Sequence, residues 1–159
     1  MILINNSKKI KLLSKNYKII ALDWTYIEKA IRIFKNKIKK ISDFDTILVL
    51  VRGGMVPATM IGHITNKRKF KFYQGFKTSS NKPHDYCVFS EKLLPKIKKN
   101  EKILIVEDII FEGDTVYGAI NYVKSKKGKV VGVCSLVADN IFFTHHNRID
   151  KIPLICAYK

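Results

Sequence analysis

Two short stretches carry the residue types that do chemistry. In ILIVEDIIFEGDTVYGAI (103–120) an apolar run ends in adjacent acids, Glu107 and Asp108, followed by Phe111, Glu112, Gly113, Asp114 and Thr115. In TILVLVRGGMVPA (46–58) a second apolar run ends in Arg52, Gly53 and Gly54. A glycine-containing loop that opens a helix offers backbone N–H groups and the positive end of the helix dipole, which suits a phosphate. Adjacent carboxylates beside such a cradle suit a sugar diol, as paired acceptors, or Mg²⁺ held through water. Each signal is weak alone: Arg-Gly-Gly is common in turns, an acid pair at a strand end is more often solvated than functional, and Asp114 also suits a helix cap. The weight lies in the combination of two anion loops and an acid pair, each after a buried strand of one sheet.

The elements that must hold these loops are legible in the apolar pattern. TILVLV (46–51), KILIV (102–106) and KVVGVCSLVA (129–138) are continuous apolar runs, as expected of strands covered on both faces. YIEKAIRIFKNKIKKI places Ile27, Ile31, Phe34, Ile38 and Ile41 at steps of four and three, an amphipathic helix with a lysine-rich outer face. Asp23 or Thr25 is its expected cap. MVPATMIGHI predicts a helix with Pro57 in its first turn, and DTVYGAINYVKSK another. KFKFYQGF (69–76) and KIPLICAY read as further strands, and the polar, turn-rich residues 77–90 as a loop. Strands alternating with helices predict an α/β fold, a mainly parallel sheet flanked by helices, in one domain spanning 1–159. In open sheets of this kind ligands bind beyond the carboxyl ends of the strands, where both loops fall.

Composition sets the outer bounds. A chain of 159 residues supports one domain with a real core. No window reaches the run of about 18 apolar residues that a membrane span needs. The start, MILINNSKKIKLLSK, lacks the apolar core and cleavage site of a signal peptide, so a cytoplasmic protein is expected. Cys87, Cys134 and Cys156 are far apart and form no C-x-x-C, so free thiols are expected. A formal charge of +17 admits a polyanion partner such as nucleic acid. Against that, 26 lysines and 23 isoleucines beside only four arginines match an AT-rich coding sequence, which is the favoured explanation and leaves RNA the less favoured partner. Residues 1–40, with eleven basic residues and two acidic ones, are the first surface to suspect.

Taken together the motifs resemble those of the type I phosphoribosyltransferases: an apolar strand, two acids, two apolar residues, one variable residue, then a Thr-Gly-x-Thr loop, standing here as Ile103 to Thr115. ALDWTYIEKAI and ILVLVRGGMVPA look most like the bacterial xanthine-guanine and hypoxanthine branch. The resemblance covers roughly residues 17–138. It implies a Rossmann-like core with a reduced hood, and Mg²⁺-dependent transfer of ribose 5-phosphate from phosphoribosyl pyrophosphate (PRPP) to a nucleobase, a 6-oxopurine by the branch. It further implies that Glu107 and Asp108 hold the ribose hydroxyls, directly or through Mg²⁺, and that residues 111–115 cradle the 5′-phosphate. Arg52, Gly53 and Gly54 would bind pyrophosphate, in a loop that in relatives often contains a non-proline cis peptide. Residues 77–90 would form a lid that brings Lys77 or Lys82 to the pyrophosphate. Dimers or tetramers of the chain are implied as well.

Three positions depart from that pattern. Phe111 stands where 6-oxopurine enzymes usually carry an Asp for the purine N7 proton. Glu112 replaces the Thr before the loop glycine, and an acid there repels a phosphate unless it points away. At the end of strand 129–138, Ser135-Leu136-Val137 replaces the expected Lys, leaving Phe142, Phe143 and Tyr158 as aromatic candidates for stacking on a base. Trp24 is expected to be a packing anchor. Two rivals stand beside this reading: Phe111 supports an RNA-binding pyrimidine-attenuation regulator, which often has an aromatic there, and intact Glu107 and Asp108 beside an altered phosphate loop suit a PRPP-binding regulator without turnover.

Overall fold

The computed structural model describes residues 24–41, 43–74, 94–111, 113–138 and 152–158. Helix α1 (Trp24–Lys37) continues into a short 3₁₀ turn (Ile38–Lys40). Strand β1 (Thr46–Val51), helix α2 (Met55–Thr65) and strand β2 (Phe70–Gln74) follow. The remaining elements are β3 (Lys102–Ile110), α3 (Asp114–Ser125), β4 (Lys129–Ala138) and β5 (Leu154–Tyr158). All five strands are parallel, in the order β2-β1-β3-β4-β5.

Alternation along the strands explains why their sequences are apolar throughout. Ile47 and Val49 of β1, with Leu104 and Val106 of β3, pack with Ala30 and Phe34 of α1 and Ala58 and Ile61 of α2. Their neighbours Leu48, Leu50, Ile103 and Ile105 pack on the other side with Val116, Ala119, Ile120 and Val123 of α3. Period-two alternation with helices on both sides leaves no face for polar residues. The inner stripe of α1 is anchored by Phe34, which is fully buried, and truncating such a side chain to Ala typically costs about 3–5 kcal/mol.

Several expectations shift. Thr25 lies inside the first turn of α1, so it does not cap the helix, and Asp23 lies outside the described residues. Trp24 is no packing anchor: it is 74% exposed. The start of α1 is held instead through Tyr26, whose carbonyl accepts the Tyr158 hydroxyl at 2.6 Å while the two rings meet edge to face. Tyr158, a candidate for base stacking, is thus occupied at the start of α1. Cys134 and Cys156 are buried free thiols; Cys87 lies outside the described residues.

The strand order sets the position of the site. From β1 the chain moves outward to β2, then returns to the other side of β1 to place β3, and moves outward again to β4 and β5. The order therefore reverses between β1 and β3. Loops leaving those two strands diverge to opposite sides of the sheet and open a crevice at the carboxyl ends.

Candidate active site

The two motifs face that crevice because β3 outruns β1. β1 and β3 are paired from Thr46↔Ile103 to Val49↔Val106, whereas β3 continues along β4 through Glu107↔Ser135, Ile109↔Val137 and Ile110↔Ala138. The acids therefore lie within a strand, not beyond the end of one as the polarity of the sequence implied. From Glu107 onward the side of β3 that β1 had covered is open. The chain leaving β1 fills it: a cis Val51–Arg52 peptide, a turn over Arg52–Gly54, then α2.

Two glycines in that turn permit close approaches. A Cβ on Gly54 would lie 2.5 Å from the Val106 carbonyl and 2.7 Å from that of Leu50, so a side chain would push the turn off both strands. A Cβ on Gly53 would overlap the Asp108 carboxylate itself. Removing the side chain thus lets the backbone of the Arg-Gly-Gly turn rest against Asp108. Arg52 is exposed at the head of this turn.

Glu107 falls on the α3 side of the sheet and lines a cavity of about 220 Å³ with Phe111, Gly113, Asp114 and Thr115. Ile109, Ile110 and Val116 complete the lining, an apolar contribution that the motif reading missed although the doublet Ile109-Ile110 stood beside the acids. Gly113 has φ 85°, a left-handed conformation that glycine adopts without a Cβ clash, and it forms the N-cap of α3. Gly113 has no side chain with which to cap the helix, and Asp114 is its first helical residue, so the alternative that placed Asp114 at the cap position does not hold. The first-turn amides and the dipole of a twelve-residue helix thus point toward the cavity. Phe111 is 55% exposed and Ile109 42%, so the cavity has an apolar rim.

The acid pair is held by the backbone that follows it. The Asp108 N–H donates to Glu107 Oε1 at 3.1 Å, and the Ile109 N–H to Asp108 Oδ1 at 2.8 Å. The hydroxyl of buried Ser135 lies between two acceptors, the Val137 carbonyl and, at 3.2 Å, the Asp108 carbonyl of the same segment. Burial pushes the Glu107 carboxyl up to about 8, and the neighbouring Asp108 carboxylate adds to the rise; among the described residues no basic side chain offsets it. A carboxylate in that condition favours an incoming cation or hydroxyl donor.

Among the described residues no three His, Cys, Asp or Glu come together. Although Glu107 lines the α3-side cavity and Asp108 rests against Gly53, their carboxyls still reach each other, so a metal at this site would take both and complete its shell with water and ligand oxygens, as Mg²⁺ does and a structural zinc does not. The acid pair fits such an ion. Glu112, the lid residues 77–90 with Lys77 and Lys82, and the aromatics Phe142 and Phe143 lie outside the described residues. Of the expected site, the structure brings Gly53 to Asp108 and brings Glu107 to the 111–115 loop.

This arrangement, an acid pair between two backbone cradles at the switch point of a parallel sheet, defines a class. Residues 23–151 match the phosphoribosyl transferase domain, and the chain belongs to that family. Among solved structures it is similar to a purine phosphoribosyltransferase of Pyrococcus horikoshii, with 20% identity over 87% of this chain and 85% of that one and a TM-score of 0.66. It is also similar to an adenine phosphoribosyltransferase of Thermoanaerobacter pseudethanolicus, with 16% identity over 96% of this chain and 98% of that one and a TM-score of 0.64. Those identities establish likeness of fold. A stretch of 42 residues, 26% of the chain, is 48% identical to the orotate phosphoribosyltransferase of a Thermoanaerobacter species and spans 22% of that protein's length.

Proposed function

We propose that the protein transfers ribose 5-phosphate from PRPP to a nucleobase and releases pyrophosphate, with Mg²⁺ as cofactor. The observation that carries this reading is the Asp108 carboxylate set against the Gly53 backbone, beside a cavity that opens on the first turn of α3. In this reading the first-turn amides of α3 and the Thr115 hydroxyl bind the 5′-phosphate, and Arg52 with the Gly53–Gly54 backbone receives the pyrophosphate. Glu107 and Asp108 accept the ribose hydroxyls. As pyrophosphate leaves the anomeric carbon, positive charge grows on the ribose, and the two fixed carboxylates stabilise it more than they stabilise the ground state. Mg²⁺, when bound by those carboxylates, supplies charge neutralisation for the departing pyrophosphate. No protein nucleophile is required; positioning and electrostatics carry the reaction.

A 6-oxopurine is the base to test first, because Arg52 to Pro57 follow the purine-branch pattern. The purine, adenine and orotate specificities named for the similar proteins support transferase chemistry without selecting a base. Phe111, exposed on the cavity rim, favours a second reading in which PRPP is bound as a signal and not consumed. The deciding assay mixes the full chain with PRPP, Mg²⁺ and, separately, guanine, xanthine, hypoxanthine, adenine, orotate or uracil, and follows pyrophosphate release. Turnover of one base, abolished by a metal chelator, supports the proposal. PRPP binding without release for any base overturns it in favour of the second reading.

A further inference from the structure

The two ends of the sheet differ in charge. Every helix of a parallel sheet returns the chain to the amino ends of the strands, so segments 35–45, 66–69, 96–102 and 124–129 gather on one face. Backbone bonds join them there: Asp45 N–H to the Lys102 carbonyl, Asn100 N–H to that of Lys127 and Lys129 N–H to that of Glu101, each at 2.8 Å. These four segments, less than a fifth of the chain, hold fifteen of its thirty lysines and arginines against three acids, a surplus of twelve. The acids are already engaged. Asp43 pairs with Lys67 at 2.8 Å, Asp45 accepts the Lys102 amide at 2.8 Å, and Glu101 is buried against Lys69 and Lys71.

Two ordinary explanations fall short. Cations offset the negative end of a helix dipole, but the last turns of α1, of the 3₁₀ turn that extends it and of α3 account for only Lys35, Lys37, Lys39, Lys40 and Lys124 of the fifteen. Lysine-rich coding would spread lysine over the surface and would not place half of the basic residues on one face. The chemistry of the face selects its partner. Trp24, Met55, Val56, Phe72, Ile109 and Phe111 are among the large apolar side chains that are exposed, and none of the exposed set lies in these segments, so among the described residues the face offers no wedge for a bilayer. Its cations are lysines apart from Arg68. Lysine makes point-charge contacts to phosphate and lacks the planar fork that reads base edges.

We infer that the face at the amino ends of the strands binds the sugar–phosphate backbone of a nucleic acid without sequence selection. It lies about 20 Å along β3 from the acid pair, so occupation of one leaves the other open.

The test uses the full chain and fluorescein-labelled oligomers of about 20 nucleotides, RNA and DNA, each single- and double-stranded, with affinity read by anisotropy across a salt series. If about five phosphates are neutralised on a single strand, affinity falls roughly a hundredfold between about 50 and 200 mM salt. Two sets of exposed lysines are then changed to Gln, with folding checked by thermal melting: Lys35, Lys37, Lys39 and Lys40 in one variant, Lys98, Lys99, Lys126 and Lys129 in the other. Each variant is expected to bind at least about tenfold more weakly at about 50 mM salt and with a flatter salt slope, while Lys29→Gln with Arg32→Gln on the flank of α1 changes affinity by less than about threefold. Binding by the RNA arm alone, or the DNA arm alone, identifies which backbone the face takes. No binding at about 50 mM salt overturns the inference. Unchanged affinity in both folded lysine variants, a strong preference for one sequence, or equal capture of anionic vesicles does so as well.

Discussion

Strand β3 carries a glutamate near each end, and the two have opposite fates. Glu101, just before its amino end, is 5% exposed and fully partnered. It accepts from Lys71 Nζ at 2.6 and 2.8 Å, from the Thr46 hydroxyl at 2.6 Å and from the Lys98 N–H at 2.8 Å, and pairs with Lys69 at 2.9 Å. Burial opposes its charge, but these donors together hold its carboxyl well below the usual range. Glu107, near the carboxyl end, has an acid for a neighbour and a backbone amide for a donor, and its carboxyl is pushed up to about 8. Satisfying every lone pair makes Glu101 a rivet between β1, β2 and β3. Leaving Glu107 short of positive charge makes it a socket. Burial alone does not single out a carboxylate as a candidate for function; burial without a cation among the described residues does.

The largest effect that would break this contrast is on turnover. Asp108→Asn keeps the shape of the acid pair but removes the charge facing the Arg-Gly-Gly turn, and pyrophosphate release should fall at least about a hundredfold with the melting temperature kept. An unchanged rate would show that the open end of β3 is not the reacting centre. At the other end the effect should be on stability alone. Glu101→Leu leaves the Lys71 ammonium, whose side chain is 15% exposed, without its counter-charge and should cost about 3 kcal/mol in urea unfolding, with turnover per folded molecule unaltered. Adding Lys71→Met should recover part of that loss; no recovery would mean that Glu101 stabilises through Thr46 and the Lys98 amide instead.

A smaller change sharpens the geometry of the socket. Gly53→Ala places a methyl where the Asp108 carboxylate lies, so either the turn or the acid must shift. Turnover is expected to drop about tenfold, since displacing a positioned group by a fraction of an ångström costs that order of rate. Equal turnover in Gly53→Ala would mean that the contact between turn and acid is incidental.

What the sequence showed and what it hid follow from the same physics. The continuous runs TILVLV and KVVGVCSLVA matched β1 and β4 residue for residue, because strands covered on both faces write burial directly into composition. β3 was read as ending at Val106, where the apolar run stops, yet it extends to Ile110. Its extension depends on pairing with a ten-residue β4, and register against a distant strand leaves no mark on the local pattern. The motif residues were legible because an acid pair and glycine turns after buried strands are rare together. Their allocation was not: period-two geometry sends Glu107 toward α3 and Asp108 toward Gly53, which required knowing that they lie within a strand. Glu101 escaped notice as one acid in a lysine-rich run. Its signal was present in retrospect, since Thr46 is the lone polar residue of its strand and Lys69 and Lys71 stand two apart in sequence.

The smallest effect separates the two glutamates by pH. In the absence of ligand Glu107 keeps its proton in the folded chain up to about 8, while in the unfolded chain it loses the proton near its ordinary value of 4.5. Between those values the folded state binds more protons, so stability falls as pH rises through this window and levels off above it. Glu101 has the opposite sign: its folded value is depressed, so its contribution is complete above the ordinary 4.5 and is lost as pH falls below that toward the depressed value. The two ends of one strand thus act in adjacent windows, one in acid and one near neutrality. Glu107→Gln should erase the neutral slope, on the order of 1–3 kcal/mol once solvent screening is allowed for, and leave the acid limb in place. Glu101→Leu should do the reverse. Urea midpoints measured in chelator at about pH 3, 5, 6.5 and 8 distinguish them. A wild-type stability that is flat from about pH 5 to 8 would show that Glu107 is as well compensated as Glu101, and the division of β3 into rivet and socket would fail.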